Sequence, residues 1–221
     1  MKNVSREDTK IIKINSVNED EKIRRASSYI LDNKIVVIPT DTLYGLATNP
    51  FNITAVKKIF EIKRRPLNKP IPLLVSDINQ IDKYVKINRL ASKLIDCFWP
   101  GMLTIIFNIN KDSLIPPIVT SKTNRLALRM PGNKITLKII EYANGIITGT
   151  SANISGRKPP SSISELDNEI AEKVDLIIDS GKVLGKASTI IDVTYDKPII
   201  IRIGAIPVQE IQLCIGNTKL R

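Results

Sequence analysis

The sequence predicts an α/β domain, a twisted open mixed β-sheet flanked by helices, and three observations carry that prediction. Short β-branched runs recur along the chain, among them KIVVI, LTIIFNI, GIITGT, STIIDV and PIIIRI. Between several of them lie stretches with apolar residues at helical spacing, the pattern of crossover helices on a mixed sheet. A length of 221 residues with 43% apolar content supplies one substantial core.

Each element follows from local signals. Residues 1–18 form a charged lead-in with one edge strand at Lys10 to Ile14. Glu19 to Asn33 repeats Ile23, Ala26, Ile30 and Leu31 as one helical face. Ile35 to Ile38 is a strand stopped by Pro39, and Thr54 can cap a helix carrying Ala55, Val56, Ile59 and Phe60. That helix ends at IKRRP, because the residue before a proline disfavours helical geometry. Ile71 to Val75 is a strand, Leu90 to Phe98 a helix closed by WPG, and LTIIFNI and RLALRMP are strands. Ile135 to Tyr142 is helical, and GIITGT, DLIID, STIIDV and PIIIRI complete a β-rich half. The main domain runs over 19–206, with 207–221 a short helix or tail.

Composition narrows the chemistry. The chain has no histidine, which excludes a Ser-His-Asp triad, a Cys-His pair and His-ligated metal sites. Cys97 and Cys214 are too few and too far apart to read as a disulfide framework or zinc site, and are expected to be core residues. No run approaches ~18 consecutive apolar residues and the first residues lack a signal peptide's apolar core, so a cytoplasmic protein with no membrane partner is expected. A net charge of +11 favours an anionic partner such as nucleotide, phosphate or RNA.

Beside the strand exit IPTDTLYGL, five clusters share one design, an apolar strand delivering a polar or cationic residue at its edge. The exit IPTDTLYGL places Thr40, Asp41, Thr42 and Tyr44 after a buried strand. KRRPLNK gathers Lys63, Arg64, Arg65 and Lys69 on a proline-constrained loop able to neutralise phosphates. TGTSANISG exposes Thr150, Ser151 and Asn153, and RLALR sets Arg125 and Arg129 on one strand face. Ser188 precedes the strand STIID, and Arg202 follows PIII. Repetition of this design argues for one shared site. Neither GxxxxGK[ST] nor GxGxxG occurs, so a nucleotide site would be of another kind.

In order, IPTDTLYGL, KRRP…KP, WPGMLT, RLALRMP, TSANISG, STIID and RIG resemble the signatures of the YrdC-like family of threonylcarbamoyl-adenylate synthases, over residues 20 to 205. The resemblance implies a basic concave face and synthesis of threonylcarbamoyl-AMP from L-threonine, bicarbonate and ATP, with magnesium and no organic cofactor. It also implies a downstream tRNA-modifying threonylcarbamoyl transferase, acting on tRNAs that read ANN codons. By the same resemblance Thr42, Arg129 and Ser188 would bind threonine. Lys63, Arg65, Lys69, Ser151, Asn153 and Arg202 would bind ATP, with Thr40, Tyr44, Arg125, Thr150 and Pro159 as further candidates. Metal ligands stay unassigned, although Asp41 is a candidate.

The sequence departs from the family pattern at Leu74 and Asn133, where members often carry histidine, and at Arg125, where a hydroxyl residue is common. KPPSS also replaces SPT around Pro159. The competing reading is a non-catalytic module using the basic face for weak, double-stranded RNA binding, which the 5% aromatic content disfavours. Without histidine, activity is expected to rise through mildly alkaline pH with no protein inflection at about pH 6–7, unless a lysine or cysteine has a strongly lowered pKa.

Overall fold

The computed structural model describes residues 10–15 and 18–220; the rest of the charged lead-in lies outside the described residues. Strand β1 (Ile11–Lys13) comes from the lead-in, as expected of its apolar pair. Helix α1 (Glu19–Leu31) buries Ile23, Ala26 and Ile30 and carries Glu19, Asp20 and Glu21 in its first turn, where the helix dipole favours negative charge. Then come β2 (Val36–Ile38) and β3 (Gly45–Ala47), antiparallel with Val37 opposite Leu46. The hydroxyl-rich IPTDTLYGL is thus the connection between two buried strands, and β3 itself carries no separate signal in the sequence.

Helix α2 (Ile53–Ile62) is capped by Asn52, whose side chain accepts the Ala55 N–H at 2.9 Å, and not by Thr54 as the sequence suggests. Next are β4 (Leu73–Val75), β5 (Val85–Lys86) and α3 (Arg89–Phe98). After the cis Trp99–Pro100 bond come β6 (Leu103–Ile109) and β7 (Arg125–Arg129). Asn133 caps α4 (Lys134–Tyr142), accepting the Thr136 N–H at 3.0 Å, so this departure from the family pattern has a local structural use. The remainder is β8 (Ile146–Thr148), β9 (Thr150–Ser151), α5 (Asn168–Lys173), β10 (Leu176–Asp179), β11 (Thr189–Asp192), β12 (Ile199–Arg202) and α6 (Val208–Ile215).

The expected mixed α/β architecture is present, with its strands divided between two sheets. One has the order β1-β10-β2-β3-β9 and the other β12-β11-β6-β7-β4-β8, with β5 on β6. The first sheet is parallel from β1 through β10 to β2 and antiparallel from there to β3 and β9, whereas antiparallel and parallel pairs alternate across the second. Gly149 joins the two sheets, lying between β8 in one and β9 in the other. An added Cβ there would stand 2.3 Å from Leu74 Cγ, so only glycine lets the chain cross this close to β4.

Period-two alternation decides what faces the cleft. On β7, Leu126 and Leu128 enter a core with Leu73, Ile105 and Phe107, which leaves Arg125, Ala127 and Arg129 on the opposite face. A second apolar cluster, including Ile23, Ile30, Ile139, Ile147 and Ile178, packs α1 and α4 over β2, β8 and β10.

The two cysteines overturn their expected role as separate core residues. Cys97 on α3 and Cys214 on α6 form a disulfide with a Cα–Cα distance of 6.5 Å. The fold brings together two helices whose cysteines are 117 residues apart in sequence, which spacing cannot foresee. Closing so long a loop restricts the unfolded chain, so Cys214→Ser should lower unfolding free energy by about 2–4 kcal/mol under oxidising conditions. Denaturant unfolding with and without reductant checks this: reductant should destabilise the parent chain and leave the variant unmoved. Equal stability of all four samples would show that the bond contributes nothing in solution.

Candidate functional site: a hydroxyl and arginine cleft

The strand ends converge on a cleft of about 370 Å³, lined by residues from both sheets. Its floor is the β2–β3 connection. The Thr40 hydroxyl accepts the backbone N–H groups of Thr42 and Leu43, both at 3.1 Å, and donates to the Leu43 carbonyl at 2.6 Å. With the Thr40 proton committed there, the Thr42 hydroxyl donates to Thr40 at 2.9 Å and turns its free lone pairs toward β7.

Arg129 meets it there. Its guanidinium, only 5% exposed, donates to Thr42 Oγ1 at 2.9 Å, to the Gly101 carbonyl at 2.8 Å and to Asp41 Oδ1. Burial works against the charge on Arg129, Asp41 favours it, and nearby Arg202 opposes it. The second Asp41 oxygen is buried without a partner. Asp41 is therefore the counter-ion of Arg129, which leaves it a poor candidate metal ligand. Among the described residues no group of three His, Cys, Asp or Glu side chains could hold a metal ion.

The opposite wall carries Ser188, whose hydroxyl lies 2.9 Å from Thr104 Oγ1. Arg202 holds the same serine, donating to its carbonyl at 2.9 and 3.0 Å and to its hydroxyl at 3.0 Å. This contact needs Gly204, because a Cβ there would come within 2.3–2.4 Å of the Ser188 and Ala187 backbone. Sequence reasoning missed Thr104. Its one signal is a hydroxyl in the otherwise apolar run LTII, and it shares a strand face with Ile106. Tyr44 is fully buried; its hydroxyl donates to the Gly181 carbonyl at 2.6 Å and accepts from Ser180 N–H at 3.1 Å. Burial pushes its pKa up.

The same cleft is lined by Arg65, Lys69, Thr150, Ser151 and Pro159. Half-buried Arg65 shapes its own loop, donating to the carbonyls of Lys69 at 3.1 Å and Pro70 at 2.7 Å. Leu74, the other departure from the family pattern, lines the cleft against Gly149.

Three predicted residues are placed differently. Arg125 does not line the cleft; it bonds Asp192 at 3.3 Å and the Tyr195 hydroxyl at 2.6 Å, with its guanidinium over that ring. Asp192 and Tyr195 thus satisfy the first arginine of RLALR. Asn153 turns inward, its amide donating to the carbonyls of Ile154 and Arg157. Lys63 is buried to 1% exposure and also stands behind the lining, held by the carbonyls of Ser151 and Asn153. Burial, with a smaller contribution from Arg65, lowers its pKa to about 7, which supplies a group titrating near neutrality where the missing histidines suggested none.

Two expectations follow. Arg129→Met strands the mostly buried Asp41 carboxylate and should cost about 3–5 kcal/mol in urea unfolding. Adding Asp41→Asn should restore much of that loss, and failure to restore any would show that the ion pair is not the reason. For Lys63 the folded pKa lies below the unfolded value, so between about pH 7 and the ordinary lysine range the unfolded chain binds the extra proton. Stability from this group then rises with pH by about 1.4 kcal/mol per unit across that window, and is flat below it. Unfolding of wild type and Lys63→Met at several pH values isolates the slope, and parallel curves would refute it.

Comparison with known proteins places this geometry. The family model Sua5/YciO/YrdC, described as telomere recombination, matches residues 28–204. A Methanocaldococcus jannaschii protein is 45% identical over 209 residues, 93% of this chain and 98% of its own length. Proteins named threonylcarbamoyl-AMP synthase from Pyrococcus abyssi and Bacillus subtilis are 37% and 34% identical over 96% and 89% of this chain. The chain spans only 62% and 57% of those two proteins' lengths. The crystal structure of P. abyssi Sua5 complexed with L-threonine matches with a TM-score of 0.88 and 36% identity, over 96% of this chain and 63% of that one. Escherichia coli YciO matches with a TM-score of 0.81 and 25% identity, over 91% and 97%. The chain belongs to the Sua5/YciO/YrdC family.

Proposed function

We propose that this protein is an L-threonylcarbamoyladenylate synthase, joining L-threonine, bicarbonate and ATP into threonylcarbamoyl-AMP with release of pyrophosphate and water. The observation that carries the reading is one cleft lined by hydroxyls and cations together: Thr42, Arg129 and Ser188 for an amino acid, and Arg65, Lys69, Ser151 and Arg202 for a nucleotide. A small hydroxy amino acid with a carboxylate suits the first set and a polyphosphate suits the second. The name and bound L-threonine of the P. abyssi relative support the same assignment.

The neutral amine of threonine adds to bicarbonate to give the carbamate, with loss of water. A carbamate oxygen then attacks the α-phosphorus of ATP, the bond to pyrophosphate breaks, and the leaving group carries off the charge. Such transfer depends on alignment and on cations around the phosphates. Arg129 uses three contacts within the protein, so two of its five N–H donors remain for the threonine carboxylate. Thr104 and Arg202 fix Ser188 beside it. Arg65 and Lys69 balance the phosphates. Magnesium would enter with ATP, supported by phosphate oxygens, since Asp41 is already paired. The product would be consumed by a threonylcarbamoyl transferase acting on tRNA.

The deciding assay incubates purified protein with ATP and labelled bicarbonate, and with threonine, serine or no amino acid. Labelled acyl-adenylate should form with threonine, and its absence would sink the reading. Arg65→Ala should lose about 1.5–3 kcal/mol in ATP binding or transition-state stabilisation, the scale of a charge-assisted hydrogen bond. The variant Arg129→Met with Asp41→Asn should raise the threonine requirement with a smaller change for ATP. Equal weakening toward both substrates would show that the two sets of residues are misassigned.

A further inference from the structure

Lys63 occupies an unusual position for a lysine. It ends α2, yet among the described residues it is the one buried lysine. No carboxylate among the described residues pairs with it. Arg65, on the same loop, repels it, and the charged groups of the neighbouring elements pair among themselves: Arg64 with Glu169 at 2.5 Å, and Arg157 with Asp167 and Glu169. The counter-charge of the Lys63 ammonium is a cage of oxygen dipoles: the Ser151 carbonyl, the Asn153 carbonyl at 2.8 Å and the Asn153 side-chain oxygen at 3.5 Å.

The grip has a second point. The carbonyl of Lys63 accepts the Ser155 N–H at 2.8 Å, so one residue holds the 151–155 turn through both its side chain and its backbone. Two more of the turn's polar groups are used internally, while the buried Ser155 hydroxyl has no partner among the described residues. The Ser151 hydroxyl donates to Asn153 Oδ1 at 2.5 Å, and the Asn153 N–H donates to the Ser151 carbonyl at 2.9 Å. The front of this turn is Thr150 and Ser151, which line the cleft, and two residues beyond Lys63 stands Arg65, which lines it too.

We propose that Lys63 is a positioning residue for the nucleotide-facing residues of the cleft: its buried amino group locks the Ser151–Ser155 turn to the basic loop, so that Ser151 and Arg65 face one phosphate-bearing ligand at a fixed separation. The assignment of those residues to ATP rests on the function proposed above; the mechanical role does not. A lysine in this cage need not touch the nucleotide. Its loss would act through the turn, because the Asn153 carbonyl would lose its donor and the Ser151 carbonyl one of two. The neutral amine keeps N–H donors for the same carbonyls, and since burial disfavours the ammonium the lock tightens as the proton leaves above about pH 7.

The test uses Lys63→Met and wild-type protein, without nucleotide, in amide hydrogen exchange, alongside calorimetric binding of a non-hydrolysable ATP analogue and of threonine. Exchange at Asn153, Ser155 and Arg157 should quicken about tenfold or more, analogue binding should weaken by a similar factor, and threonine binding should hold within about threefold. Weakened analogue binding with unchanged exchange would mean that Lys63 contacts the nucleotide directly, overturning the proposal. Uniformly faster exchange with both ligands weakened would make it a general scaffold residue, which also overturns it. Should the variant fail to fold, wild type suffices: opening the turn rehydrates Lys63 and restores its ordinary pKa, so protection at 151–157, relative to α2, should rise between about pH 7 and 9, and a constant ratio would refute the lock. If wild type binds no ATP analogue at all, the nucleotide assignment falls, and the exchange arms still decide the role of Lys63.

Discussion

The cleft depends on one buried guanidinium. Arg129 arrives on a strand whose other face is core, and it meets three chain segments at once: the Thr42 hydroxyl, the Asp41 carboxylate and the Gly101 carbonyl of the WPG turn. The adjacent backbone reinforces this, since Gly101 N–H donates to the Met130 carbonyl at 2.8 Å. Removing a charge from water is costly, and a buried pair of this kind is weak evidence for added stability. Its effect is better described as registration. The β2–β3 connection, the turn before β6 and the end of β7 cannot shift separately without leaving a charge or carbonyl unpaired. The hydroxyl floor and the end of β7 therefore keep their spacing with no ligand present.

The same economy governs the other cations around the cleft. Arg65 is held by the carbonyls of Lys69 and Pro70, and Arg202 by the Ser188 carbonyl. Burial pushes the pKa of both down, and neither has a carboxylate among these hydrogen-bond partners to oppose it. An incoming anion would supply the missing counter-charge to groups already oriented, the arrangement that favours a transition state carrying negative charge. The overall excess of basic residues says little about this; that neither Arg65 nor Arg202 has an ion-pair partner among the described residues says more.

Much of the fold was legible because its signals are local. Period-two runs and helical stripes located every helix but α5 and most strands to within a few residues, and most motif segments meet at one cleft, KRRPLNK entering it from the end of α2 and not from a strand. What stayed hidden depends on partners distant in sequence. Arg125 and Arg129 look alike in RLALR, but Asp192, 67 residues away, neutralises the first. Lys63 and Arg65 sit on one loop, yet one faces carbonyls 88 and 90 residues on and the other faces the cleft. Asn153 carries a cleft-like signature and spends its amide inside its own turn. Thr54 and Asn52 both have capping side chains, and only the observed entry into α2 separates them. Strand β3 is too short, and too full of small residues, to show alternation.

The disulfide gives the molecule a covalent topology that its linear order does not have. Residues 97 to 214 form a closed ring, and β6, β7, β8, β9, β11 and β12 all belong to it. Arg129, Ser151, Ser188 and Arg202 are therefore carried on the ring, while Thr42, Lys63 and Arg65 lie on the open arm before it. The stretch containing Lys182, Leu184 and Lys186 is exposed and runs within the ring. A protease that nicks the backbone there opens the ring without releasing either piece. The nicked molecule keeps its mass until a reductant separates the two fragments.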